Sequence, residues 1–195
     1  MKKNLAQMTP VELGKLFPII LTEHKAEWAE LFKTERELIY HRIGKQFITK
    51  IEHIGSTAVA DLISKPTIDI LLEIHKHIEE HRIVEALKSI EYHYISKPEN
   101  PPPHMMFVKG YTPGGFNGQA YHIHVRYPGD WDEIYFRDYL RKNAAIRKQY
   151  GELKRILAEK YRNDRDGYTD AKTEFVKRIS DLARQEKKIS ENTNQ

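Results

Sequence analysis

The sequence predicts an α+β protein, a mixed sheet flanked by helices with a C-terminal helical bundle. Three observations point there. Residues 46–126 alternate short extended and short helical stretches. From Asp132 onward the apolar residues recur at helical spacing. At 195 residues, 39% hydrophobic and 31% charged, the chain has enough material for one cored domain plus a helical appendage.

The elements follow in order. Thr9-Pro10-Val11-Glu12 reads as a capped helix start, with Thr at N-cap, Pro at N1 and Glu at N3. A helix over 25–44 places Trp28, Leu31, Phe32, Leu38, Ile39 and Ile43 on one stripe and ends at Gly44. Residues 47–54 read as a strand, 57–63 as a short helix and 67–74 as a strand. A helix over 77–90 carries Ile83, Val84, Leu87 and Ile90, and extended pieces follow at 92–96, 105–111 and 121–126. Pro101-Pro102-Pro103 cannot sit in a central strand. The glycine-rich stretch 112–118 reads either as a flexible flap or as an ordinary hairpin connection. After Asp132 the helices break near Asn143 and at 163–167; the last begins near Thr169, and the polar tail after Lys187 is expected to fray. This gives an α+β core over 1–126, a helical segment packed on it over 127–187, and a tail over 188–195.

The net charge is +4, and its distribution says more. Residues 1–50 hold nine Lys/Arg against six Asp/Glu, 51–135 seven against twelve, and 136–195 sixteen against ten. An acidic middle and a basic tail suit phosphate chemistry, where carboxylates hold metal and cations hold phosphate. Solvated basic helix faces are the plainer reading of the tail. No segment is dense in both basic and aromatic residues, so nucleic acid is a weaker expectation than a small phosphorylated ligand. There are no cysteines, which removes disulfides, thiolate nucleophiles and thiolate metal sites and fits a cytoplasmic setting. No apolar run approaches the roughly 18 residues of a membrane span, and Met1-Lys2-Lys3-Asn4 leads into no apolar signal core. Oligomeric state is not legible.

Chemistry concentrates in two strands. After the first, Gly55-Ser56-Thr57 offers a close backbone approach, hydroxyls and N–H groups to an anion; an ordinary capped turn is the alternative. In the second, Ile68, Ile70, Leu72 and Ile74 share one face, and Asp69, Leu71 and Glu73 the other. A carboxylate between Ile68 and Ile70 is hard to justify as packing, so Asp69 should border a cleft. His122 and His124, two apart on a strand, put both imidazoles on one face roughly 6.5–7 Å apart at the backbone. With Asp69 they make a two-His, one-carboxylate set. Such a set suits Mn2+, Fe2+, Ni2+ or Zn2+ better than Mg2+, which prefers oxygen and water. Asp69 and Ser56 are the candidate catalytic residues. Gly55, Ser56, Thr57, Lys65, Arg141 and Lys172 are candidate phosphate contacts. Arg137 and Arg141 share a helix face, with pairing to Asp138 or Asp132 as the alternative. Lys172, in the first turn of the last helix, opposes the helix dipole and asks for a carboxylate or a bound anion.

Together these pieces resemble the GrpB family, within the nucleotidyltransferase superfamily of DNA polymerase beta-like proteins. The matching stretches are Glu52-His53-Ile54-Gly55-Ser56-Thr57-Ala58-Val59, Lys65-Pro66-Thr67-Ile68-Asp69-Ile70, His122-Ile123-His124-Val125, Phe136-Arg137-Asp138-Tyr139-Leu140-Arg141, Tyr150 with Leu153-Lys154, and Tyr168 with Lys172. The resemblance implies a nucleotidyltransferase-like fold, with a centre near Ser56, Asp69 and the His-x-His strand. It also implies nucleotide-related chemistry. Two departures stand out. Active polymerase-beta-like enzymes usually carry a second acid two residues after the first, where this chain has Leu71. Where the family pattern runs Val-Pro-Gly-Leu, this chain has Val59-Ala60-Asp61-Leu62. The leading expectation is a metal-dependent nucleotidyltransferase. A non-catalytic nucleotide- or metabolite-binding module and a metal-dependent phosphoester hydrolase are the alternatives.

Overall fold

The computed structural model describes residues 4–193. In chain order its helices and strands are α1 (Pro10–Leu16), α2 (Glu27–Ile43), β1 (Ile48–Ile54), β2 (Thr67–Ile74), α3 (Glu80–Lys88), β3 (His93–Ser96), β4 (Met105–Thr112), β5 (Gly115–Arg126), α4 (Asp132–Lys142), α5 (Ala144–Lys160), α6 (Arg165–Asp170) and α7 (Thr173–Thr193). The chain divides into two compact units, one built on the sheet and one on helices.

The sheet unit comprises Lys25–Ala58 and Pro66–Asp130. Its five strands lie in the order β1-β2-β5-β4-β3. The β2–β5 pair is parallel and the other three pairs are antiparallel, so the sheet is mixed. Alternation along β2 sends Ile68, Ile70, Leu72 and Ile74 to one face, where each is fully buried. Each such side chain contributes about 1.5–3 kcal/mol on leaving water. There they join Tyr121, Ile123 and Val125 of β5, Trp28, Phe32, Ile39 and Ile43 of α2, and Ile83 and Leu87 of α3. The opposite face of β2 is not open along its length. Leu71 is fully buried and Glu73 is 6% exposed, as expected of a central strand in a parallel pair. Glu73 stands in register with Arg126 and Lys50. Only at Asp69 is the carboxylate within reach of solvent.

The helical unit comprises residues up to 24, 59–65, and from 131 onward. Val59, Leu62, Phe136, Leu140, Tyr150 and Ile179 form its main core, with Tyr150 stacked on Phe175 at 5.2 Å. Ile19, Leu157 and Tyr168 form a second cluster. Backbone hydrogen bonds between Thr22 and Ser64, in both directions, tie the 59–65 segment to the N-terminal stretch. The Thr9–Glu12 capping box forms as expected, each side chain accepting from the other's backbone N–H.

Four local expectations need correction. The short helix expected over 57–63 shrinks to one 3-10 turn, Ser56–Ala58, because Asp61 takes a left-handed φ of 60° that no helix continues through. The helix expected over 77–90 is only Glu80–Lys88. The glycine-rich stretch is no flap: β4 runs to Thr112, β5 starts at Gly115, and the Thr112 hydroxyl donates to Gly115 O while accepting from Gly114 N–H. Finally, Asp164 caps the separate α6, and α7 then begins at Thr173 and runs to Thr193, past Lys187.

Candidate functional site

The parallel register of β2 and β5 builds the site. Asp69 lies opposite His122, and Leu71 opposite His124. The three polar side chains therefore share the face turned away from the sheet unit's core. His122 Nδ1 stands 3.2 Å and His124 Nε2 3.7 Å from the same oxygen, Asp69 Oδ1. One nitrogen or oxygen from each residue lies within 4.8 Å of the others. All three side chains remain part-exposed: 27% for Asp69, 15% for His122 and 23% for His124.

Gly55 makes room for the carboxylate. At Ile54 the β1 ladder faces Asp69, and the next residue turns at φ +70°. A Cβ on Gly55 would come within 2.5 Å of Asp69 Oδ2, so this position has no space for any side chain. Tyr111 completes the other side. Gly110, at φ +88°, marks an irregularity between Lys109 and Tyr111. Lys109 lies over Tyr121 on the core face, yet Tyr111 stacks on His122 on the opposite face. The bulge thus re-aims the strand. The Tyr111 hydroxyl sits 2.8 Å from His122 Nε2.

Burial alone would raise the Asp69 pKa, but hydrogen bonding to His122 and His124 and their charge outweigh it. The carboxyl is held well below the usual range and stays ionised. The donor set fits a divalent cation. Ligands about 2.1 Å from one ion are separated by roughly 3.0–3.5 Å; the His122–Asp69 spacing of 3.2 Å meets this, and the His124–Asp69 spacing of 3.7 Å exceeds it slightly. If His122 ligates through Nδ1, its proton sits on Nε2 and donates to the Tyr111 hydroxyl, fixing the ring and its tautomer. A protein N,N,O set favours Mn2+ or Zn2+ over Mg2+.

The remaining sequence candidates fall in different places. Ser56 follows Gly55 directly and is half-buried. Thr57 is 2% exposed, and its hydroxyl donates to Thr67 O while lying 3.0 Å from His53 Nε2. That hydroxyl ties the turn to β2 and is committed inside the protein. Lys65, Arg141 and Lys172 belong to the helical unit. Arg141 pairs with Asp138 at 3.4 Å, the simpler of the two readings open to it. Lys65 and Lys172 share a partner, with their ammonium groups 5.4 and 4.1 Å from the Tyr168 ring centre. Sequence reasoning missed two residues, Tyr111 and the buried Lys154. Nothing in the spacing betrays the first, because a bulge delivers it. The second stands in one of the matching family stretches, but a lysine on an amphipathic helix ordinarily belongs to its wet side, so no role was read for it.

This chain is similar to several known proteins. The glutamate-rich protein GrpB of Alkalihalophilus pseudofirmus is 37% identical over 166 residues, covering 83% of this chain and 93% of that protein. A UPF0157 protein of Pseudomonas aeruginosa is 39% identical over 154 residues, 78% of this chain and 62% of that protein. The chain also matches half the length of the UPF0157 protein YqkA of Bacillus subtilis, at 32% identity. Among solved structures, the conserved protein GrpB from Enterococcus faecalis superposes with a TM-score of 0.74 at 30% identity, covering 86% of this chain and 98% of the other. The family model described as GrpB protein matches residues 18–182. This chain belongs to the GrpB family.

Proposed function

We propose that the chain is a nucleotidyltransferase-like protein of the cytoplasm. It binds a nucleotide or related phosphorylated metabolite beside a divalent cation and transfers a nucleotidyl group. The observation that carries this reading is the convergence of His122 and His124 on one oxygen of Asp69, hard against the Gly55-Ser56 turn. Asp69, His122 and His124 would hold the ion, and its chemistry would be to neutralise charge on a phosphoryl oxygen. Tyr111 holds His122 in its ligating orientation. Gly55 keeps the turn close to the carboxylate, and Ser56 offers its hydroxyl and N–H to a phosphate oxygen. Catalysis on this plan rests on positioning and electrostatics.

One observation favours a second reading, a non-catalytic binder on the same fold. Leu71, where a second acid would stand, is fully buried and offers no ligand. The experiment that separates the two is thermal-shift screening with the four nucleoside triphosphates and Mn2+, Zn2+ or Mg2+, coupled to a pyrophosphate-release assay. Stabilisation by triphosphate plus metal with release supports transfer. Stabilisation without release supports the binder, and release of phosphate from simple esters would instead indicate a hydrolase. No stabilisation by any triphosphate–metal pair would defeat the nucleotide reading.

A further inference from the structure

Within the helical unit three lysines gather around two aromatic rings. Lys65 and Lys172 both stand over Tyr168, itself 1% exposed, with Lys172 Nζ 4.1 Å from the ring centre. Lys154, from α5, is 2% exposed. Its ammonium donates to the carbonyl of Ile63, two residues before Lys65, and lies 4.8 Å from the Tyr150 ring centre. Burial, then the charges of Lys172, Lys65 and Arg155, lower its pKa to about 6.

Folding alone does not explain this grouping. A buried ammonium is unfavourable unless its three N–H donors and its charge are answered. One carbonyl and an aromatic face answer part of that demand, and the two nearby cations add to it. Methionine would fill the same space without any of these costs. Lys172 also stands at the start of α7, where its carbonyl accepts from Val176 N–H, so the positive pole of a 21-residue helix adds to the same charge. A multivalent oxyanion would satisfy all of these at once, because ammonium–phosphate hydrogen bonds are charge-assisted.

We propose that Lys65, Lys154 and Lys172 form a binding site for a phosphoryl-type oxyanion, with Tyr168 positioning two of the three ammonium groups. The proposal stands whether or not Asp69 holds a metal. Free pyrophosphate and the phosphates of a nucleotide share the required chemistry.

Calorimetric titrations of the full chain with pyrophosphate and with ATP, both in EDTA, test it. The wild type is expected to bind at least one of them. Equal affinities would identify the phosphate as the whole determinant, and much tighter ATP binding would identify a nucleotide; either result supports the site. Lys65→Gln and Lys172→Gln should each weaken binding about tenfold, and Lys154→Met more, while Lys88→Gln, exposed on α3 of the sheet unit, leaves it unchanged. If Lys154→Met does not fold, the two more accessible variants carry the test. No binding by the wild type, or unchanged affinity in Lys65→Gln and Lys172→Gln, would overturn the proposal.

Discussion

Asp69 and Lys154 are both ionisable groups moved from their ordinary pKa, and their surroundings treat them oppositely. Two imidazoles favour the charged form of Asp69, whereas two lysines and burial disfavour that of Lys154. The second case has a measurable consequence. Lys154 titrates near pH 6 in the folded chain against 10.5 in the unfolded one. Between those values the unfolded chain binds the extra proton, so this lysine's contribution to stability rises with pH, by about 1.4 kcal/mol per pH unit. Below pH 6 both states are protonated and the slope vanishes. Urea denaturation of wild type and Lys154→Met across pH 5.5–9.5 checks this: the difference should favour the variant most at the acid end and shrink as pH rises. Asp69 and the His-x-His pair were legible in the sequence because strand alternation alone puts i and i+2 on one face. Lys154 was not, since a lysine on an amphipathic helix ordinarily belongs to its wet side.

At the scale of elements, irregularities do as much as the regular ladders. The bulge at Gly110 turns Tyr111 onto His122, and no two-residue period anticipates it. Tyr111→Phe keeps the ring and removes the hydroxyl, so metal affinity is expected to fall about 10-fold with the thermal midpoint nearly unchanged. Titration of Mn2+ or Zn2+ into the variant measures this. The departure at Val59-Ala60-Asp61-Leu62 also resolves at this scale. Asp61 adopts φ 60°, the conformation a glycine there would take freely, and aspartate tolerates it better than most residues. Asp61→Gly should be neutral or stabilising by up to about 1 kcal/mol, since it relieves that backbone while losing only a distant ion pair with Arg147 at 3.7 Å. Chemical denaturation would settle the sign. The end of α7 was illegible for another reason. Its last turns lack an apolar stripe, and the helix is sustained there by exposed pairs such as Lys187–Glu191 at 3.9 Å.

For the molecule as a whole, the mixed five-stranded sheet with its flanking and C-terminal helices follows from the alternation of strand and helix signals. What the linear order hides is membership. The 59–65 segment leaves the sheet unit after one turn, joins the helical unit through the Thr22–Ser64 bridge, and returns as β2. Hydrogen bonds between residues 42 apart are not encoded in any local pattern. Among the described residues no helix is long and apolar enough to cross a membrane. The sheet unit thus carries the metal candidate and the helical unit the lysine group, and each is testable by itself. The most direct measurement for the first is calorimetric titration of Mn2+ and Zn2+ into metal-free wild type, Asp69→Asn and His124→Gln. The account predicts one ion per wild-type chain, with affinity at least about 10-fold weaker in both variants. Equal affinity in all three proteins, or no uptake by the wild type, would contradict it.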